Sequence, residues 1–110
     1  MTFRPGDAIP VACELSVFTA EQSAGHDAAL RRMRAEALGR DELPDGYAWR
    51  YAQDPSLLAA LAEFVGYERM CCPFFTFTIV MEPPGGALWL RLTGPEGTKA
   101  ILSENAAIGA

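Results

Sequence analysis

The segment Glu68-Arg69-Met70-Cys71-Cys72-Pro73-Phe74 concentrates the residues best able to do chemistry. On a helix, residues three and four positions apart are neighbours, so Glu68 would meet both Cys71 and Cys72. A carboxylate that continues an apolar helix face is costly to bury unless something pairs it. Pro73 disfavours helical geometry at Cys72, which places both thiols where a helix ends. We therefore expect a buried carboxylate beside two thiols, at a junction that can open onto a pocket.

The expected electrostatics of this junction favour metal binding over nucleophilic attack. A nucleophilic cysteine needs a lowered pKa, usually from a helix N-terminus or a nearby cation. Here the thiols lie at a helix C-terminus, where the partial negative charge of the dipole opposes thiolate formation. Glu68 opposes it further, and only Arg69 favours it. A bound soft cation reverses this logic, because the metal itself drives deprotonation and the Glu68 carboxylate offsets its charge.

The number and spacing of the cysteines bear on which metal is bound. A structural zinc site usually takes four ligands from two separated pairs, which adjacent cysteines and a single histidine do not supply. Thiolates suit softer ions. The leading hypothesis is therefore a soft-metal or metalloid-binding protein for Hg, As(III), Cu(I) or Zn. Its ligands would be Cys71 and Cys72, with Cys13 as a third if its segment lies beside them, and Glu68 would support these ligands or return protons to them.

The sequence is also compatible with two other functions. In a small enzyme acting on a small molecule, Glu68 would be a general acid or base beside a cysteine nucleophile or redox thiol. Arg69 would then orient an anionic group, and Trp49 or Tyr51 would wall the pocket. The third possibility is a dimeric ligand-sensing or interaction domain with structural thiols. His26 is interpreted as a structural helix histidine rather than a ligand.

The elements that must position these residues follow from periodicity and from capping signals. The pattern predicts an α+β fold, a two-layer sandwich with a four-stranded mixed sheet and helices packed on one face. The predicted order is β-α-β-α-β-β-α. Its strands are Val11–Val17 with Cys13 on the apolar face, Tyr47–Tyr51, Phe75–Met81 and Leu88–Leu92; its helices run from Thr19 to about Leu38, from Asp54-Pro55 to Pro73, and from about Thr93-Gly-Pro-Glu96 to Ser103. Pro44-Asp45-Gly46 and Pro83–Gly86 are predicted turns.

Aromatic residues suggest what could cover the second face of this sheet. Tyr47, Trp49 and Trp89 are predicted to leave that face partly apolar. Exposed apolar patches usually mark contacts between proteins, so a homodimer through this face is expected.

Composition sets the broad class. The 110 residues fit one domain, 1–110, with a frayed tail from about residue 105, and half of them are hydrophobic. The net charge of −5 argues against nucleic-acid binding and against docking on anionic membrane. No apolar run is long enough for a membrane span or a signal peptide, so a cytoplasmic location is expected. Three cysteines make an odd number, which predicts reduced thiols rather than a disulfide framework.

The run Glu68–Phe75 and the later run Leu88–Gly97 resemble a group of small bacterial proteins of unassigned function. These proteins share a Glu-Arg-x-Cys-Cys-Pro-Phe signature, and similar segments are appended to some regulators of the mercury-resistance type. The similarity extends to Ala12-Cys13-Glu-Leu and to Asp54-Pro55. It implies no established activity, but the association with such regulators favours thiol-dependent handling of a metal or metalloid.

Overall fold

The computed structural model describes residues 3–104. A 3₁₀ helix, Leu15–Val17, precedes three α-helices and four strands. In chain order the elements are α1 (Ala20–Glu36), β1 (Gly39–Leu43), β2 (Gly46–Tyr51), α2 (Pro55–Cys71), β3 (Thr76–Met81), β4 (Leu88–Thr93) and α3 (Thr98–Glu104). The predicted frayed tail lies outside the described residues.

Both long helices begin where their capping residues predict. The Thr19 hydroxyl accepts a hydrogen bond from the backbone N–H of Gln22, and the Gln22 side chain accepts one from the N–H of Thr19. This reciprocal capping box satisfies two N–H groups that the first turn of α1 leaves free. Asp54 caps α2 by accepting from the N–H of Ser56, with Pro55 in the first turn. Both predicted helix starts are confirmed.

The predicted α+β class, with a four-stranded sheet and helices, is confirmed. The sheet order is β1-β2-β4-β3, and every neighbouring pair is antiparallel. The prediction of a mixed sheet is therefore wrong in this detail. Helix α2 does connect two parallel strands, β2 and β3, but β4 returns from the β3 hairpin and inserts between them. The crossover thus leaves no parallel pair in direct contact.

The predicted first strand, Val11–Val17, is also wrong. The backbone N–H of Glu14 donates to the carbonyl of Cys71 at 2.7 Å, so this segment pairs with the end of α2 and not with the sheet. The last carbonyls of a helix lack partners within the helix, and this bond satisfies one of them. The Glu14 carboxylate then accepts from the N–H of Ser16 and turns the chain into the 3₁₀ helix.

The strand missing from the prediction is β1, Gly39-Arg-Asp-Glu-Leu43. It lies at the edge of the sheet and forms a hairpin with β2, in register from Gly39 opposite Arg50 to Leu43 opposite Gly46. Three charged residues in succession give it no apolar alternation. Charged side chains are common on edge strands because they discourage pairing with another chain.

The hydrophobic core lies between the helices and one face of the sheet. It includes Trp49 and Tyr51 from β2, Leu90 from β4, and Leu61 and Phe64 from α2. Tyr47 and Trp49 project to this covered face, whereas Trp89 alternates to the opposite face. Tyr47 and Trp49 therefore do not form the exposed apolar patch on which the expected homodimer was based. No helix within residues 3–104 is long and apolar enough to cross a membrane.

Candidate thiol site

The central residues of the candidate site lie on the buried face of α2. Its buried residues are Leu57, Leu61, Phe64, Glu68 and Cys71, spaced by three or four positions. Glu68 is only 4% exposed, which confirms the predicted burial of this carboxylate. Cys72 caps the helix, with its N–H donating to the carbonyl of Glu68. The same helical periodicity that packs the core therefore brings a carboxylate and two cysteines to its C-terminal end.

The N-terminal segment brings the third cysteine to this end. Because Glu14 is hydrogen-bonded to the carbonyl of Cys71, the preceding residue, Cys13, lies against Cys72, with 4.4 Å between their Cα atoms. Cys13 and Cys72 are joined in a disulfide. The prediction that all three thiols are reduced is therefore wrong in this structure. The segment that carries Cys13 does not pair with the sheet, and the backbone hydrogen bond from Glu14 to Cys71 holds Cys13 beside Cys72.

Cys71 is the free cysteine, and it is buried. Its Sγ lies 3.4 Å from the Sγ of Cys72. It also lies 3.6 Å from the backbone carbonyl oxygen of Glu68 and 3.9 Å from Oε2 of the Glu68 side chain. The other oxygen of that carboxylate, Oε1, is 3.7 Å from the Sγ of Cys72. All three sulfurs and the carboxylate thus form one cluster, which we call the thiol cluster.

His26 completes the cluster, and its role was missed in the sequence. Its Nε2 lies 2.8 Å from Oε2 of Glu68, and both side chains are buried. The ring packs among Phe18, Phe64 and Tyr67, with ring centroids 5.0 to 6.4 Å away. The available signal was its position three and seven residues before Ala29 and Met33, which makes it part of the buried stripe of α1.

Close approach of α1 and α2 makes this pairing possible. A Cβ atom at Gly25 would collide with the ring and hydroxyl of Tyr67 on α2. Glycine therefore lets the two helices approach at the level of the cluster. As a result, a nitrogen of His26, an oxygen of Glu68 and the sulfur of Cys71 all lie within 4.8 Å of one another.

The surroundings hold Cys71 in its neutral form. Burial raises the pKa of its thiol, and the adjacent Glu68 carboxylate raises it further, to about 12. Both effects disfavour a negative charge at the sulfur. The direction agrees with the expectation from the helix C-terminus and from Glu68. Cys71 is consequently a poor nucleophile near neutral pH unless a cation or a conformational change stabilises its thiolate.

The cluster faces a cavity of about 500 Å³, which we call the thiol cavity. Apolar side chains of Leu15, Leu30, Phe75 and Ile101 contribute to its walls, and all three cysteines, His26 and Glu68 line it. Trp49 and Tyr51, expected to wall a catalytic pocket, do not line it. They are instead part of the core under the sheet.

Arg69 does not line the thiol cavity but lines a different one, which we call the Arg69 cavity. This space of about 570 Å³ also contacts Cys13, Glu14, Cys71 and Pro73. Arg69 is exposed and makes no salt bridge with any residue between 3 and 104. Glu68 and Arg69, predicted to act together in an enzyme, therefore line different cavities.

We compared the chain with protein-family models, with curated proteins and with solved structures, and no match was found in any of the three.

Proposed function

We propose that this protein binds a soft metal or metalloid ion through the reduced thiolates of Cys13, Cys71 and Cys72. The observation that carries the proposal is the convergence of three sulfurs from two distant segments on one carboxylate–histidine pair. Cys13 and Cys72 are at bonding distance, and Cys71 is 3.4 Å from Cys72. Reduction of the disulfide would give three adjacent thiols, and each could bind a metal as a soft thiolate ligand.

The donor set decides the class of ion. Sulfur ligands favour thiophilic ions such as Hg(II), As(III) and Cu(I) over hard cations, which prefer oxygen. Three sulfurs within one small cluster suit ions that accept low coordination numbers. Zn(II) would require a fourth ligand, for which His26 or Glu68 is available within the same cluster.

The Glu68–His26 pair supports such a site in two ways. Its carboxylate lies 3.7 to 3.9 Å from the sulfurs of Cys71 and Cys72, where it offsets the charge of a bound cation. The hydrogen bond to His26 holds the carboxylate in place, as outer partners of metal ligands commonly do. Burial and the Glu68 carboxylate together make Cys71 a poor nucleophile, and the same carboxylate favours a cation at that position.

The raised pKa of Cys71 also separates this proposal from that of a cysteine-nucleophile enzyme. A nucleophile must be a thiolate before its substrate arrives, whereas a metal displaces the proton as it binds. Metal uptake should release protons and tighten as pH rises. Nucleophilic catalysis near neutral pH would need a depressed pKa, the opposite of the shift found here.

The test is a titration of the protein after reduction with a phosphine and removal of the reductant. Reduced wild type should take up one equivalent of Hg(II), As(III) or Cu(I), measured by native mass spectrometry and by thiolate-to-metal absorption for Hg(II) and Cu(I). The oxidised protein is a matched control, because it has the same sequence with only Cys71 free.

The Cys71→Ser/Cys72→Ser variant should lose stoichiometric binding, and Cys13→Ser should bind more weakly than wild type. Equal uptake by wild type and the double variant would refute the proposal. Uptake that is unchanged in Cys13→Ser alone would remove Cys13 from the ligand set.

A further inference from the structure

We propose that the Cys13–Cys72 disulfide is a redox centre reduced by a small thiol that carries a carboxylate, which docks in the Arg69 cavity and attacks Cys13. This thiol–disulfide exchange is an activity of the protein in its own right. Its link to metal uptake, through release of the thiolate ligands, rests on the proposed function.

The first observation is the unequal access to the two sulfurs. Cys72 is 2% exposed, and of the two cavities it lines only the thiol cavity. Cys13 is half-buried and lines both cavities. Exchange requires the attacking sulfur to reach a disulfide sulfur, and access decides which sulfur is attacked. The geometry therefore points to Cys13 as the sulfur that is attacked and to Cys72 as the sulfur that leaves.

The second observation is the charge in the Arg69 cavity. Arg69 is exposed there and has no carboxylate partner among residues 3–104. The Glu14 carboxylate is the other charge on the wall, and it is engaged by the N–H and hydroxyl of Ser16 rather than paired with Arg69. An arginine guanidinium presents donors that match a carboxylate. Among residues 3–104, Arg69 is thus a cation without a carboxylate partner in the cavity that exposes Cys13, and it selects a thiol whose carboxylate it can bind.

The chemical step balances with two equivalents of the thiol. The first thiolate attacks Cys13 and forms a mixed disulfide, the Cys13–Cys72 bond breaks, and Cys72 takes up the proton that the attacking thiol released. A second thiolate attacks the small-molecule sulfur of the mixed disulfide, and Cys13 leaves and is protonated. Two protein thiols and one small-molecule disulfide result, so the protein gains two electrons and the thiols lose two.

The test measures reduction rates with three small thiols: 3-mercaptopropionate, 2-mercaptoethanol and cysteamine, which are anionic, neutral and cationic. Each rate for Arg69→Gln is divided by the wild-type rate with the same thiol, which cancels differences in intrinsic thiol reactivity. The anionic thiol should slow by about threefold to tenfold, as expected for one charge at close range in a solvated site. The neutral thiol should be unchanged, and the cationic thiol should not slow.

Arg91→Gln is the matched control, since it makes the same change in net charge at an exposed position in the middle of β4. For Arg91→Gln, the ratio of the variant rate to the wild-type rate should be the same for all three thiols. In concentrated urea, wild type and Arg69→Gln should show no difference. Equal slowing of all three thiols in Arg69→Gln, or the same anion effect in Arg91→Gln, would overturn the assignment of Arg69.

A second measurement identifies the attacked sulfur. In Cys71→Ser, which retains the disulfide but has no third thiol, one equivalent of 3-mercaptopropionate is added and the released thiol is alkylated. Peptide mass spectrometry should find the mixed disulfide on Cys13 and the alkyl group on Cys72. The reverse pattern, or a disulfide that resists reduction in the folded protein, would refute the proposal. Metal binding is measured after phosphine reduction, so failure of this exchange leaves that result unaffected.

Discussion

The two ends of the buried face of α2 differ in what they are built from. Leu57, Leu61 and Phe64 belong to the hydrophobic core that includes residues of the sheet, and each is fully or almost fully buried. One turn further on, Glu68 and Cys71 are equally buried but meet His26 and the Cys13–Cys72 disulfide. The buried face of one helix therefore contributes to the apolar core at one end and to a polar, sulfur-rich cluster at the other.

The difference shows which end is explained by stability alone. Burying leucine and phenylalanine stabilises a fold directly, by roughly 1.5–3 kcal/mol for each side chain. Burying a carboxylate beside an imidazole requires desolvation that their mutual attraction often fails to repay. The apolar end therefore accounts for folding, and the polar end needs another explanation, which the proposed metal binding would supply.

The largest expected effect concerns the bond between the two segments of the cluster. The disulfide closes a loop with a sequence separation of 59 residues, for which the chain-entropy model gives roughly 4 kcal/mol of stabilisation. Cys13→Ser should lose an amount of this order, measured by urea denaturation without reductant. Cys71→Ser is the control, because it removes a sulfur that is not bonded and that is more deeply buried than the half-buried Cys13. Similar losses in both variants would show that the disulfide does not stabilise the fold.

The next effect should come from the apolar end. Leu61 is fully buried in the core, so Leu61→Ala should lower the free energy of unfolding by about 3 kcal/mol through lost burial and a cavity. Leu58→Ala, on the same helix but only partly buried, is the control and should lose clearly less. Reduction and metal binding at the thiol cluster should be unchanged in both variants if they remain folded at the temperature of the assay. A Leu61→Ala loss below about 1 kcal/mol would contradict this packing.

The apolar end was also the part most open to prediction. Residues such as Leu57, Leu61 and Phe64 repeat with the helical period, and Thr19 and Asp54-Pro55 signal helix starts. These signals are local in sequence. The predicted burial of Glu68 followed from the same period. Strand β1 was not predicted, because an edge strand of charged residues has no apolar alternation.

The partners of the thiol cluster could not be predicted, because they depend on contacts between distant segments. His26 and Glu68 are 42 residues apart, and Cys13 and Cys72 are 59 apart. The alternation Val11–Val17 is typical of a strand, but the hydrogen bond from Glu14 to the end of α2 replaces pairing in the sheet. Periodicity shows which side of an element is buried, and it does not show which other element covers that side.

A smaller effect on stability, with a clear effect on reactivity, is expected from Glu68→Gln. Glutamine can keep a hydrogen bond to His26, so the loss of stability should be about 1 kcal/mol. Removing the carboxylate removes the second cause of the raised Cys71 pKa, while burial remains. The pKa of the Cys71 thiol should therefore fall partway toward its ordinary value.

The measurement is the rate of alkylation of Cys71 against pH, with the disulfide intact. Below the thiol pKa the rate follows the thiolate fraction, so Glu68→Gln should react faster than wild type at every pH from 8 to 10. Glu63→Gln, a change to an exposed carboxylate on the same helix, should match wild type. Equal rates in all three proteins would mean that Glu68 does not act on the thiol. A loss well above 3 kcal/mol in Glu68→Gln would indicate a structural ion pair with His26.

The smallest effect is expected at Tyr51, a residue of β2 whose polar hydroxyl lies within the hydrophobic core. Its hydroxyl is buried, with no hydrogen-bond partner among the described residues, and burial raises its pKa. Tyr51→Phe removes an unsatisfied group, so stability near pH 7 should stay equal or rise by up to about 1 kcal/mol.

Above pH 9 the Tyr51 hydroxyl makes the stability of wild type fall as pH rises. The folded protein keeps this phenol protonated while the unfolded chain ionises above about pH 10, so wild type loses stability as pH rises. Tyr51→Phe should lose less stability than wild type between pH 9 and 11 in urea denaturation, and a parallel loss would contradict the burial of a neutral phenol.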